Sequence, residues 1–172
     1  MSAVTNRISK SAENAETVVV VCVIGTGHYG VPVEKVREVL LPPEVTRLPG
    51  MPGFIEGIIR LRGQVIPIVD LRTRFGLKAE IHAECRAVVV TMSGRTIGFL
   101  VDAVLAVRRF PSRAIRPLPQ DIPMEGREFL AGVAPASEDE KGLLLLLDVE
   151  KILNMEEQTA LAGASLAGVA RR

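Results

Sequence analysis

Phe54-Ile55-Glu56-Gly57-Ile58-Ile59-Arg60-Leu61-Arg62-Gly63-Gln64-Val65-Ile66-Pro67-Ile68-Val69-Asp70-Leu71 reads as a β-hairpin. The outgoing arm, 57–62, turns at Gly63-Gln64 and returns over 65–71. A side-chain period of two sets Arg60 and Arg62 on one face of the outgoing arm and Ile59 and Leu61 on the other. The return arm is almost continuously apolar, as a strand buried on both faces would be. Pro67 lacks the N–H that a central strand donates, which points to an edge or a barrel seam. Two guanidinium groups on a rigid strand make a surface suited to an acidic partner. No nucleophile, base or metal ligand stands beside them, so the stretch reads as recognition without chemistry.

Outward from this hairpin the chain keeps the same character. Short β-branched runs at 18–24, 30–33, 58–62, 65–71, 86–92, 96–101 and 143–147 alternate with Gly and Pro. Turns at 25–27, 63–64 and 93–94 are short enough to join antiparallel neighbours. Many short strands between such turns indicate an all-β sandwich or barrel. The segment 111–123 carries four prolines and reads as an extended connection. From 149 to about 166 the chain is rich in Ala, Leu and Glu without proline. With Asp148 as N-cap, a C-terminal helix is expected there, fraying near Gly163 and Gly168. Residues 1–16 are polar and aperiodic and read as a disordered arm, ahead of a folded region over 17–154 and a helical or frayed tail over 155–172. No internal repeat is visible in the sequence.

Composition narrows the function. A chain of 172 residues can bury a real core as one domain or two small subdomains. Lys and Arg number 21 against 20 Asp and Glu, so no global field draws the chain to nucleic acid or to an anionic membrane. There is no Trp, which argues against base-stacking platforms. Cys22 and Cys85 lie in Val-rich strand patterns and read as buried free thiols. The apolar run 18–24 is too short to cross a bilayer, and acidic Glu13 and Glu16 precede it where a secretory signal would be basic. The expected setting is the cytoplasm, with no direct membrane insertion.

Several motifs reduce to plain readings. Gly25-Thr26-Gly27-His28-Tyr29-Gly30 matches G-x-G-x-x-G, yet β-prone Val31-Pro32-Val33 follows where a phosphate-binding helix would have to begin. A hairpin turn is the better reading. His28 and His82 have no Cys, Asp or Glu at ligand spacing on a shared element, so surface histidines and no metal are expected. No triad or cofactor motif is identifiable; neither a cofactor nor an enzyme activity is expected. Arg108, Arg109, Arg113 and Arg116 surround Phe110 and raise an RNA-binding alternative. Prolines spread these charges over a connection, so a solvated edge that guards against strand pairing fits better. Glu38 and Arg62 each stand among apolar neighbours. They are either solvated residues, worth about 0–1 kcal/mol if paired, or charges that set the register of a binding face.

The ordered series of segments resembles the CheW family of chemotaxis coupling proteins. It runs from Tyr29-Gly30 and Val36-Arg37-Glu38-Val39 through Val45-Thr46-Arg47-Leu48-Pro49, Phe54-Ile55-Glu56-Gly57, Leu61-Arg62-Gly63 and Pro67-Ile68-Val69-Asp70-Leu71. Gly98-Phe99-Leu100-Val101-Asp102-Ala103-Val104, Phe129-Leu130-Ala131-Gly132-Val133 and Leu145-Leu146-Leu147-Asp148-Val149-Glu150-Lys151-Ile152-Leu153 complete it, over roughly 17–153. The resemblance implies two packed five-stranded SH3-like β-barrel subdomains with a hydrophobic seam and a C-terminal helix. It implies an adaptor that couples a CheA-type histidine kinase, through the kinase's regulatory domain, to the helical-hairpin tip of transmembrane chemoreceptors in an array. By residue-wise carry-over, Val36, Glu38, Arg62, Val104 and Val107 are receptor-groove candidates. Leu41, Val45 and Ile55 are candidates for the kinase contact, and Gly57, Gly63 and Gly132 are architectural. A CheW-like scaffold in a pathway for surface motility or development is the alternative. The chain departs from the family in Arg60, where Asn is common before Leu-Arg-Gly, and after Met155, where no family motif continues. At this length neither an ATP-binding kinase domain nor a receiver domain is expected, unless the chain is an excised fragment.

Overall fold

The computed structural model describes residues 15–121, 125–139 and 141–170; the expected N-terminal arm lies almost wholly outside them. Among the described residues the strands are β1 (Glu16–Ile24), β2 (Gly27–Pro32), β3 (Val36–Leu40), β4 (Ile55–Leu61), β5 (Gln64–Asp70), β6 (Arg86–Met92), β7 (Arg95–Val101), β8 (Ala103–Pro111), β9 (Leu130–Pro135) and β10 (Leu143–Leu147). A short helix α1 (Leu71–Arg74) follows β5, and α2 (Met155–Ala170) closes the described chain. They form two five-stranded mixed sheets, ordered β8-β1-β2-β10-β9 and β3-β6-β7-β5-β4.

One backbone bridge closes each sheet toward a barrel. In the first, the N–H and C=O of Arg116 exchange bonds of 2.8 Å with Val133 of β9. In the second, Thr46 and Ile58 of β4 exchange bonds of 2.9 Å. The two barrels also share one pairing scheme. β1 is antiparallel to β2 and β8, β10 is antiparallel to β9, and β2 and β10 are parallel. Substituting β6, β7, β3, β5 and β4 for β1, β2, β8, β10 and β9 reproduces it. The chain is therefore an internal duplication of β1–β5 and β6–β10 in which the halves interlock. Each half gives its first two strands to one barrel and its last three to the other.

The sequence conceals this repeat because its common features are single-residue devices. Asp70 N donates to Phe54 O and Asp148 N to Phe129 O, each at 2.8 Å. Asp70 and Asp148 then cap the turns that follow β5 and β10. Gly57 and Gly132 both lie where the closing segment passes. A Cβ at Gly57 would stand 2.1 Å from Thr46 O, and one at Gly132 would stand 2.8 Å from Arg116 O.

Strand periodicity sorts the core into three clusters. From β1, Val19 and Val21 enter the first barrel with Phe110, Leu144 and Leu146. Val20, Cys22 and Ile24 point the other way, into the seam between the barrels. From β6, Ala87 and Val89 enter the second barrel with Ile59, Ile66, Ile68 and Leu100. Val88, Val90 and Met92 join the seam, which also takes Leu71, Phe75, Phe99, Ile152 and Leu161. β5 is buried on both faces as read, with Ile66 and Ile68 inside the barrel and Val69 in the seam. Cys22 and Cys85 are buried free thiols, and the Gly25-Thr26 turn joins β1 to β2 as a hairpin.

Four expectations need correction. β5 is an inner strand, between β4 and β7; its parallel ladder with β7 begins only at Ile68, so Pro67 sits where that side has no registered partner. β4 ends at Leu61, and the hairpin turns on Arg62 and Gly63, both left-handed at φ 49° and 79°. Arg62 therefore projects from a turn instead of sharing a strand face with Arg60. Asp148 caps only a 3-10 turn, Val149–Lys151. The helix starts afresh at Met155 and continues past Gly163 to Ala170, with Asn154 and Glu157 exchanging capping bonds of 2.9 and 2.8 Å. Finally, the proline-rich connection contains a 3-10 turn, Ser112–Ala114, and supplies the closing residue Arg116.

Candidate docking surface

The crossovers between barrels create the surface of interest. After β2 the chain makes a 3-10 turn, Val33–Lys35, and enters the second barrel as β3. After β7, Asp102 N donates to Val23 O at 2.9 Å and the chain enters the first barrel as β8. Val36 and Val104 stand near these entry points, are half-buried, and pack against the seam cluster. They flank the seam from opposite barrels. Farther along β3, Glu38 accepts from Arg62 Nη2 at 2.9 Å. Glu38 is 23% exposed and Arg62 is 78% exposed, so the pair fixes the Arg62 turn against β3 while the guanidinium stays in solvent. Such a pair adds about 0–1 kcal/mol to stability. Val107 on β8 is exposed, as are Leu105 on the same strand and Val39 on β3.

The structure thus brings together Glu38 and Arg62, and it brings Val36 and Val104 to one seam. Val107 lies opposite seam-facing Val20 of β1, on the same side of β8 as Val104, and is exposed. In the segment after β3, Leu41 is exposed, while Val45 packs on the core of the second barrel. Ile55 is 7% exposed and belongs to the seam core, which leaves Leu41 and part of Val45 as the accessible members of that trio. Gly63 has φ 79° with open space around it, so its role is the turn itself.

Sequence reading missed the charged groups that hold the barrels together. Arg72, 1% exposed, donates from Nε and Nη2 to the two carboxylate oxygens of Asp70 at 3.0 and 2.8 Å. Its Nη1 reaches Glu80 O at 2.6 Å, Asp102 Oδ1 at 3.1 Å and Cys85 Sγ at 3.2 Å. The paired carboxylate of Asp70 raises the Arg72 pKa further above its ordinary value. Partial burial pushes Asp102 up, but the bonds it accepts from Gly25 N–H, Arg72 and His82 outweigh that and hold its pKa below the usual carboxylate range. His82, read from sequence as a free surface histidine, lies 3.3 Å from Asp102 through Nε2. His82, Cys85 and Asp102 offer ligand atoms within 4.8 Å of one another. The Arg72 guanidinium already fills the space beside Cys85 and Asp102, so the trio does not fit a metal ion.

Around the other end of the seam, Glu150 Oε1 accepts from Lys35 Nζ at 2.8 Å. Its Oε2 accepts from Ser93 N at 2.8 Å and Ser93 Oγ at 2.7 Å. These contacts, the Lys35 bond foremost, hold the Glu150 carboxyl below its ordinary pKa, and the same bond raises Lys35. Arg74 lies over the rings of Phe54 and Phe129, 4.2 and 4.8 Å from their centres. It is also bidentate to Glu157 of α2 at 3.0 and 2.9 Å. The repeat-related Phe54 and Phe129 thereby grip the residue that docks the helix. A cleft of about 580 Å³ opens between the Arg62-Gly63 turn, the start of β7 and α2, with Pro67, Arg95, Ile97, Gln158 and Leu161 in its walls. Arg108 is half-buried, donating to the carbonyls of Pro135 and Ala136, and Arg109 pairs with Glu16 at 3.0 Å. Those arginines finish the edge strand β8 and do not form a free basic patch. Among the described residues no helix is long and apolar enough to cross a membrane.

The two barrels thus bury structural charges in their seam and carry half-buried valines and an exposed ion pair along the crossover strands. The sequence model of the CheW-like domain matches residues 18–157. Chemotaxis protein CheW of Klebsiella aerogenes is 36% identical over 135 residues, covering 78% of this chain and 80% of that protein. Protein FrzA of Myxococcus xanthus is 37% identical over 141 residues, covering 81% and 86%. Among solved structures, the scaffolding protein TtCheW from Thermoanaerobacter tengcongensis superposes with a TM-score of 0.75 at 28% identity, covering 83% of this chain and 91% of that one. The chain belongs to the CheW-like domain family.

Proposed function

We propose that this protein is a chemotaxis coupling protein, a non-catalytic adaptor that joins chemoreceptors to a CheA-type histidine kinase. The observation that carries the reading is the placement of Val36 and Val104 at one seam from opposite barrels, with Glu38 farther along β3 paired to Arg62 of the β4–β5 turn. A helical-hairpin tip of a receptor lies against the valines, and the ion pair sets its register. The kinase regulatory domain contacts Leu41 and the exposed part of Val45. Simultaneous binding sets the kinase beside the receptor, and differential contacts let receptor state bias kinase state. The protein works in the cytoplasm and reaches the membrane only through receptor arrays, where multivalency raises its effective concentration.

The test is a pull-down from cell extract with the wild-type chain and with Arg62→Glu. Recovery of a histidine kinase by both, with receptor lost only in Arg62→Glu, supports the adaptor and its groove. Equal recovery of both partners removes Arg62 from the groove. Recovery of neither by the folded wild-type chain sinks the reading. A second reading serves a chemotaxis-like pathway for surface motility or development. It is favoured by the likeness to protein FrzA, which is as high as that to the CheW proteins. Identification of the captured receptors decides between the two.

A further inference from the structure

The two charged clusters at the seam are mates under the internal duplication, and they differ in sign of charge and in burial. Arg72 and Glu150 each stand two residues after a capping aspartate, Asp70 and Asp148. Each belongs to a cluster that joins a barrel crossover to a hairpin turn. In one, Arg72 binds Asp102 at the β7–β8 junction, and Asp102 Oδ2 accepts from Gly25 N at 2.7 Å in the β1–β2 turn. In the other, Glu150 binds Lys35 just before β3 and Ser93 in the β6–β7 turn. The signs of charge are reversed. So is burial: Arg72 is 1% exposed, whereas Lys35 and Glu150 are 37% and 39% exposed. In the buried cluster, breaking one pairing leaves a charge without a partner and away from water, which is costly. The exposed one competes with water at each contact.

We propose that Glu150 is a positioning residue for the receptor-docking face, acting as a releasable staple across the seam while the Arg72 cluster serves as the fixed pivot. Lys35 immediately precedes Val36, so the grip of Glu150 on Lys35 and on the β6–β7 turn fixes where β3 leaves the seam. That in turn fixes Val36 and Glu38 on the second barrel relative to Val104 and Val107 on the first. Release of Glu150 lets the barrels rotate about Arg72 and changes the width of the groove between the two valines. A contact confined to one barrel, as at Leu41 and Val45, does not sense this rotation. The binding part of the inference rests on the adaptor reading above; the motion does not.

The experiment therefore has two arms. In the first, spin labels at Arg60→Cys on β4 and Leu143→Cys on β10 report the distance between barrels in the full chain without partners. The native Cys22 and Cys85 are buried and do not label. The wild-type chain gives one narrow distance distribution. Glu150→Gln and Lys35→Met each broaden or shift it, and Lys35→Arg, which keeps the charge, leaves it as in wild type. In the second arm, Glu150→Gln weakens binding of a receptor hairpin-tip peptide about five-fold while kinase-domain binding changes less than about two-fold. A cooperative thermal melt for each variant establishes that it is folded. An unchanged distance distribution in Glu150→Gln overturns the staple. Parallel loss of receptor and kinase binding overturns its positioning role. Absence of any receptor binding by the wild-type chain strikes the adaptor reading, and the distance arm still decides the motion.

Discussion

Replacing Gly57 by Ala tests how the second barrel closes. Gly57 has φ 144°, outside the range that L side chains readily adopt. A Cβ there would lie 2.1 Å from Thr46 O, 2.7 Å from Thr46 C and 2.9 Å from Val45 Cγ1. The nearest obstacle is backbone, so no rotamer change relieves the clash, and the segment around Thr46 has to move away. That movement breaks the reciprocal Thr46–Ile58 bonds of 2.9 Å. Two backbone hydrogen bonds at about 1 kcal/mol each, with about 1–3 kcal/mol of backbone strain, give a loss of about 3–5 kcal/mol. For a domain of this size that lowers the melting temperature by roughly 6–20 °C. Gly63→Ala is the control, since Gly63 is also left-handed but has nothing within 4 Å, and it should cost only about 1 kcal/mol. Urea denaturation of the two variants beside wild type gives both numbers. A Gly57→Ala cost no larger than that of Gly63→Ala would refute the closing-bridge argument.

Arg72→Met leaves Asp70 and Asp102 without their guanidinium in a buried setting and should destabilise the chain by about 3–5 kcal/mol in the same assay. Its effect should far exceed that of Arg62→Met, whose exposed ion pair is worth about 0–1 kcal/mol. Asp102 and Glu150 have pKa values held below the ordinary carboxylate range in the folded chain. Their contribution is therefore fully present above the unfolded value near pH 4 and is lost as pH falls through the lower folded values. Melting temperature followed downward from about pH 5 should fall less steeply in the double variant Asp102→Asn/Glu150→Gln than in wild type. Burial pushes the Cys22 thiol up to about 12 and Cys85 is equally inaccessible, so neither should react with a thiol reagent at pH 8 until urea unfolds the chain. Fast reaction of either in the native state would contradict the packing of the seam.

Strand positions were legible because each buried strand feeds two cores. That produces the apolar runs of β1, β5 and β6, and it makes the Gly and Pro punctuation stand out. Gly57 and Gly132 read only as architectural in the sequence; the close passage of a second backbone segment at each is visible in the structure alone. Arg62 was misplaced onto a strand face because period two cannot distinguish the last strand residue from the first of a left-handed turn. The helix start was misjudged because Asp148 and Asn154 are both good caps, and only the packing of Val149 and Ile152 into the seam ends the first turn. The charges that staple the seam were not legible at all. Lys35 meets Glu150 across 115 residues and Arg72 meets Asp102 across 30, and neither pairing leaves a local pattern. The duplication was hidden for a related reason, since its equivalent devices are interleaved between barrels.

The most direct test of the coupling role is recruitment of the purified kinase regulatory domain to vesicles displaying receptor hairpin tips, measured by co-sedimentation with and without this chain. The adaptor account predicts that the kinase domain sediments with the vesicles only when the chain is present, and that Arg62→Glu abolishes this without weakening the soluble complex of chain and kinase domain. Equal sedimentation of the kinase domain with and without the folded chain would contradict it.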